Sequence, residues 1–199
     1  LIVNGKELVA KKGIFGKVGK AQPLPCATIV EGKLVTGTAD GCVYLWEGRD
    51  CKESVKCGGG EKGNAVMDCC VVRNGGDVKM VSGAKDGLIC LFGGRLEILR
   101  TIDLNGVGVD CLVKQIISVD YSVDCKRILV GTKGSEIVEV GVESGEEGVL
   151  LMSGHFKDEL WGLGVHNSNG DLFATSGDDG VAKVWSVGGK KLLSSGEVG

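Results

Sequence analysis

Proline is nearly missing from this sequence, two residues in 199, whereas glycine supplies 35. Without a G-X-Y period this excludes a collagen-like chain. The glycines punctuate short apolar runs, which points to many tight turns between strands. No apolar run approaches the ~18 residues that a bilayer crossing needs, so membrane insertion is not expected. The opening LIVNGKELVAKK has too short an apolar stretch and the wrong charge order for a signal peptide, and a soluble, intracellular chain is the expectation. No segment carries a capped helical period of useful length. Arginines are unclustered and aromatic residues make up 5%, which leaves no basic, aromatic-interleaved surface for nucleic acid.

Histidine is scarce too, at positions 155 and 166. The nine cysteines (26, 42, 51, 57, 69, 70, 90, 111 and 125) form no CxxC pair, and none neighbours either histidine in sequence. Most lie inside apolar runs such as MDCCVV and LICLF. They read as small buried hydrophobes of a reducing compartment, ahead of disulfides or a metal site. No metal or other cofactor is expected. The formal charge of -3 is unevenly spread. Lys6 to Lys20 holds five lysines and one glutamate, whereas Gly134 to Glu159 holds seven acids and one lysine.

What the chain has in abundance is repetition. LVTGTADGCVYLW (34–46), MVSGAKDGLICLF (80–92), ILVGTKGSEIVEV (128–140) and FATSGDDGVAKVW (173–185) align, with Asp40, Asp86, Gly134 and Asp179 at one turn position. These turns stand about 46 residues apart, a period that fits four-stranded propeller blades and not helical solenoids. Within each period, β-branched and apolar runs of four to eight residues alternate with NGG, DG, GG or SNGD turns. The middle runs are apolar on both faces, as expected of strands sandwiched between neighbouring sheets. The expected units are 1–22, a last strand of a preceding blade with a connecting loop; blades 23–64 and 65–110; a degenerate blade 111–155; and a blade 156–199. With about four units, the chain reads as a fragment truncated at both ends, an open arc whose bare sheet faces should associate.

The segment 154–185 crowds together both histidines, two tryptophans and several carboxylates. A hydrolase-like reading makes His155 the base, Thr175 or Ser176 the nucleophile and Asp179 the orienting acid. The repeat argues against it. Thr175, Asp179 and Trp185 recur at the same spacing as Thr36, Asp40 and Trp46, and as Ser82, Asp86 and Phe92, with no histidine nearby. Asp-Gly suits a tight turn, and a carboxylate beside an imidazole, a hydroxyl and an indole N–H satisfies each buried polar group. His155, Thr175, Asp179, Trp185, Thr36, Asp40, Trp46, Ser82 and Asp86 are therefore expected to form a structural polar network, not an enzyme site. The third unit, with Val130, Gly134 and Val140 at these places, is expected to hold by packing alone. His166 reads as an exposed turn residue. CGGGEKGN (57–64) lacks the GK[ST] ending of a phosphate loop.

Four such units, with Gly154-His155 ahead of one and Trp46 and Trp185 closing two others, resemble the WD-repeat superfamily. KKGIFGK (11–17) followed by LPCATIVEGKLVTGTADGCVYLWEGR (24–49), then RILVGTKGSEIVEV (127–140) and SGHFKDELWGLGVH (153–166), are similar to segments of the echinoderm microtubule-associated protein-like family, in that family's order and spacing. The resemblance implies an all-β, partial WD-repeat β-propeller, about four four-stranded blades of a larger, tandem propeller. It also implies a non-catalytic scaffold, cytoplasmic and cytoskeleton-associated, that binds tubulin or microtubules and other proteins. A generic WD-repeat adaptor in a ubiquitin-ligase or signalling complex is the alternative. The family's HELP motif and coiled coil are not in this sequence. Lys11, Lys12, Lys17 and Lys20 are the candidate face toward acidic tubulin, on charge alone.

Overall fold

The computed structural model describes residues 2–4, 7–9, 12–57, 64–74, 77–145 and 147–198. Every regular element among them is a strand. β1 (Ile2–Asn4) and β2 (Glu7–Val9) form a separate antiparallel pair. Four four-stranded antiparallel sheets follow, each a simple meander in chain order. The first is β3 (Ala27–Val30), β4 (Lys33–Gly37), β5 (Cys42–Glu47) and β6 (Asp50–Lys56). The second is β7 (Val66–Asn74), β8 (Asp77–Ala84), β9 (Leu88–Phe92) and β10 (Ile98–Asp103). The third is β11 (Ile116–Tyr121), β12 (Arg127–Thr132), β13 (Glu136–Gly141) and β14 (Gly148–Ser153). The fourth is β15 (Leu160–Val165), β16 (Leu172–Gly177), β17 (Val181–Ser186) and β18 (Lys191–Glu197). This is an all-β, partial propeller whose described sheets do not close into a ring.

The turn chemistry explains the shared meander. Gly41, Gly87 and Gly180 take positive φ (85°, 89° and 70°) right after Asp40, Asp86 and Asp179, the conformation a glycine adopts without steric cost. In the third sheet the order is reversed, and Ser135 carries the left-handed backbone at φ 58°. A register shift opens the first strand of three sheets, at Val66/Asp68, Ile116/Ser118 and Leu160/Gly162. Such bulges bend the strand and redirect its side chains.

Period-2 alternation sends neighbouring residues into different cores. Met80, Cys90 and Phe92 pack toward the first sheet with Val35, Val43 and Leu45. Val81, Ile89 and Leu91 pack toward the third with Ile116, Ile128, Val130 and Val138. Burying each such side chain fully contributes roughly 2 kcal/mol. The middle strands β5 and β9 are accordingly buried on both faces.

β12 departs from that expectation, alternating buried Ile128 and Val130 with exposed Leu129. The reason lies in the last seam. The fourth sheet meets the third through β14 and β18, and on its first strand Trp161, Leu163 and Val165 are 71%, 73% and 65% exposed.

Candidate functional site

The fourth sheet holds a continuous polar chain. Trp185 Nε1 donates to Thr175 Oγ1 at 2.8 Å, and that oxygen lies 2.8 Å from His155 Nε2. His155 Nδ1 is 3.0 and 2.9 Å from the two oxygens of Asp179, and Val181 N donates to Asp179 Oδ1 at 3.1 Å. The Nδ1–H tautomer satisfies every link, because Nε2 is then free to accept the Thr175 hydroxyl proton. The Asp179 side chain is 0% exposed and that of His155 14%. Burial pushes the Asp179 carboxyl up, but the Val181 amide, the His155 ring and the Phe156 amide together hold it below the usual carboxylate range.

The sequence of groups imitates a hydrolase triad, and each of its members is tied into the fourth sheet. The Thr175 oxygen already accepts the indole proton, and the residue is buried at 7% exposure. The links join the connection before β15 to β16 and β17, a clasp across three chain segments. Nearby, Trp161 Nε1 donates to Asp178 Oδ1 at 2.7 Å and Glu159 N to Asp178 Oδ2 at 3.0 Å, which fastens the start of β15 to the same turn. His166 is exposed and accepts the Ser168 and Asn169 amides.

The first two sheets keep parts of the clasp. Trp46 Nε1 donates to Thr36 Oγ1 at 2.9 Å. Asp40 does not join that pair, and accepts instead from Thr38 Oγ1 at 2.6 Å. Burial raises the Asp40 carboxyl, and the Thr38 hydroxyl with Gln22 and Cys42 brings it below its ordinary range. In the second sheet Ser82 is buried, Asp86 Oδ1 accepts the Leu88 amide at 3.2 Å, and Phe92 is buried with no N–H to offer.

The third sheet corrects the expectation that packing alone holds it. Glu136, 1% exposed, accepts Leu112 N at 2.6 Å on one oxygen and Thr132 Oγ1 at 2.6 Å on the other. A carboxylate placed two positions after the turn Gly134, and one methylene longer, ties the connection before β11 to β12 and β13. The alignment hid it because it looked for an acid at the turn position itself.

A second device escaped the sequence reading. Thr36 pairs with Tyr44, Ser82 with Cys90 and Thr175 with Lys183. These partners reach back to the connection entering their own sheet. Tyr44 Oη accepts from Lys20 N and Gln22 Nε2, Cys90 Sγ lies 3.3 Å from Cys57 O, and Lys183 Nζ donates to Gly154 O at 2.6 Å and Ser153 Oγ at 2.8 Å. Lys183 is 0% exposed. Burial lowers its ammonium below the usual range, and the charges of Asp179 and Glu136 pull it back up. The chemistry differs at each site, so no residue pattern marks it.

The basic segment is anchored. Ile14 exchanges backbone hydrogen bonds with Arg49 and Cys51, and Phe15 sets its ring edgewise on Trp46 and Tyr44 at 5.1 and 6.2 Å. Lys12, Lys17 and Lys20 are exposed around this anchor. Lys11 lies outside the described residues, as does most of the 57–64 loop, at 58–63.

Four meander sheets at one spacing, three of them turned by Asp-Gly and the last clasped through Thr175, His155, Asp179 and Trp185, define a segment of WD-repeat propeller. The family model for the WD domain, G-beta repeat, matches residues 148–186. That stretch runs from the first residue of β14 to the last of β17, so one sequence repeat supplies the last strand of one sheet and three strands of the next. The chain is 30% identical over 194 residues to the ciliary WD repeat-containing protein ctxp80 of Euplotoides octocarinatus, covering 94% of this chain and 24% of that protein. It is 29% identical over 185 residues to human echinoderm microtubule-associated protein-like 2 (92% of this chain, 26% of the relative). With human echinoderm microtubule-associated protein-like 1 the identity is 28% over 192 residues (95% and 22%). The chain thus spans about a quarter of the length of these relatives. It is a WD-repeat protein that resembles the echinoderm microtubule-associated protein-like family.

Proposed function

We propose that this chain is a non-catalytic WD-repeat scaffold from a microtubule-associated protein, acting in the cytoplasm at the cytoskeleton and binding tubulin or microtubules together with other proteins. The observation that carries this reading is the similarity over 92% and 95% of the chain to relatives named as microtubule-associated. A relative named as ciliary agrees with it. The use of the clustered Thr, His, Asp and Trp side chains in clasps supports a scaffold over an enzyme. The working units are the blades 23–64, 65–110, 111–155 and 156–199. Lys12, Lys17 and Lys20, standing out from the Phe15 anchor, are the proposed face toward acidic tubulin, with Lys11 beside them in sequence.

Co-sedimentation of the full-length protein with microtubules tests this. The bound fraction of wild type should fall as salt screens the contact, and it should fall further when the four lysines are replaced by glutamate. Unchanged binding in that variant removes the lysine face. No binding by wild type at any salt removes the microtubule reading and leaves a generic WD-repeat adaptor.

A further inference from the structure

The cysteines divide by environment. Cys26 lies just before β3, and its sulfur is 3.6 Å from that of Cys69 on β7, across the seam between the first and second sheets. Cys69 is buried, whereas Cys26 is half-buried. The Cys26 sulfur sits over Gly37, where an added methyl carbon would stand 2.5 Å from it. The Val66 carbonyl lies 3.7 Å from the same sulfur. This pocket fixes the sulfur against its partner. The sulfurs are in van der Waals contact, and a disulfide needs about 2.05 Å between them.

Reactivity is also asymmetric. The hydrogen bond with Cys69 favours the Cys26 thiolate, against burial and with help from the Gly37 amide, so its thiol lies below the ordinary range. Burial pushes Cys70 and Cys111 up to about 11, and it raises Cys42 and Cys51 as well. Cys90 is lowered by its contact with Cys57, but it is 1% exposed. Cys26 combines partial exposure, a lowered thiol and a second thiol in contact, which is the environment of an oxidation-sensitive cysteine.

We propose that Cys26 and Cys69 form an oxidative modification site, taking hydrogen peroxide as substrate and closing to a disulfide that staples the first sheet to the second. The Cys26 thiolate attacks one peroxide oxygen. The O–O bond breaks, the departing hydroxide takes up a proton and leaves as water, and Cys26 becomes a sulfenic acid. The Cys69 sulfur, losing its proton, then attacks the Cys26 sulfur. The S–S bond forms, the S–O bond breaks, and a second water leaves. Two electrons pass from the two thiols to one peroxide.

The test is a peptide map of the full-length protein after stepwise exposure to hydrogen peroxide, alkylation and non-reducing digestion. The expected first product is a peptide linking Cys26 and Cys69, lighter by two hydrogens than its parts and lost on reduction with dithiothreitol. In Cys69→Ser the expected product is a trapped Cys26 sulfenic acid that reacts with dimedone, and in Cys26→Ser Cys69 stays reduced. Oxidation of the other cysteines before this pair, or of Cys26 in wild type without linkage, overturns the proposal. The wild-type map decides the matter even where a serine variant folds poorly.

Discussion

The seam between the second and third sheets and the seam between the third and fourth do the same job with different materials. The first is apolar, a continuous cluster in which Ile116, Ile128, Val130 and Val138 are 0% exposed. Polar ties reinforce it at its edges. Asp68 accepts Val119 N at 3.0 Å, and Arg100 donates to the carbonyls of Val142, Glu143 and Ser144. The second seam touches at the outer strands and is held by Lys183, with Leu163 and Val165 left in solvent. Apolar burial requires the sheets to meet closely along the seam, whereas a polar latch can hold sheets whose first strands stand apart.

The largest effect should come from the packed seam. Ile128→Ala should cost about 3 kcal/mol in unfolding free energy, while Leu163→Ala across the open seam should change it by less than ~0.5 kcal/mol, both read by denaturant titration. Equal losses would erase the contrast. Next come the clasps. Glu136→Ala strands a buried hydroxyl and the Leu112 amide, at a cost of about 2–3 kcal/mol, and His155→Ala should cost about 1–2 kcal/mol because its ring is partly exposed.

Acid should separate the sheets as well. Asp179 has a lowered pKa in the fold. Its stabilisation is therefore complete above the ordinary carboxylate value and lost as the pH falls through the lower folded value. Asp179→Asn should flatten that part of the stability-versus-pH curve, and an unaltered acid limb would contradict the clasp. Trp46→Phe and Trp185→Phe each remove one indole-to-hydroxyl bond and should cost about 1 kcal/mol, with the buried Trp46 the more sensitive. The smallest change is a gain. Ser135→Gly relieves a left-handed serine in the one turn without Asp-Gly and should raise stability by ~0.5 kcal/mol in a thermal melt.

The fold was legible because it is repeated. One Asp-Gly turn between two apolar runs is ambiguous, but its recurrence at Asp40, Asp86 and Asp179 fixes strand pairs and their order. Composition could not place Glu136 or Lys183. Both are charged residues in the strand pattern, where charge normally means solvent, and their burial depends on partners supplied by a different segment: Leu112 for one, Gly154 for the other. The open last seam was equally hidden, since Leu163 and Val165 are as apolar as their buried counterparts in β11. Polar groups that serve structure look like chemistry in one dimension. Only the bond to Trp185 shows that the Thr175 oxygen is already engaged.

Hydrogen exchange of the full-length protein, compared for wild type, Glu136→Gln and Asp179→Asn, tests most directly whether the two carboxylates are local clasps. In Glu136→Gln, protection should fall at the Leu112 amide and along β11–β13 while the fourth sheet keeps its rate. In Asp179→Asn the loss should centre on Phe156, Val181 and β15–β17 while the third sheet is unchanged. Unaltered protection in both variants, or the same loss spread over all four sheets in each, would contradict that reading.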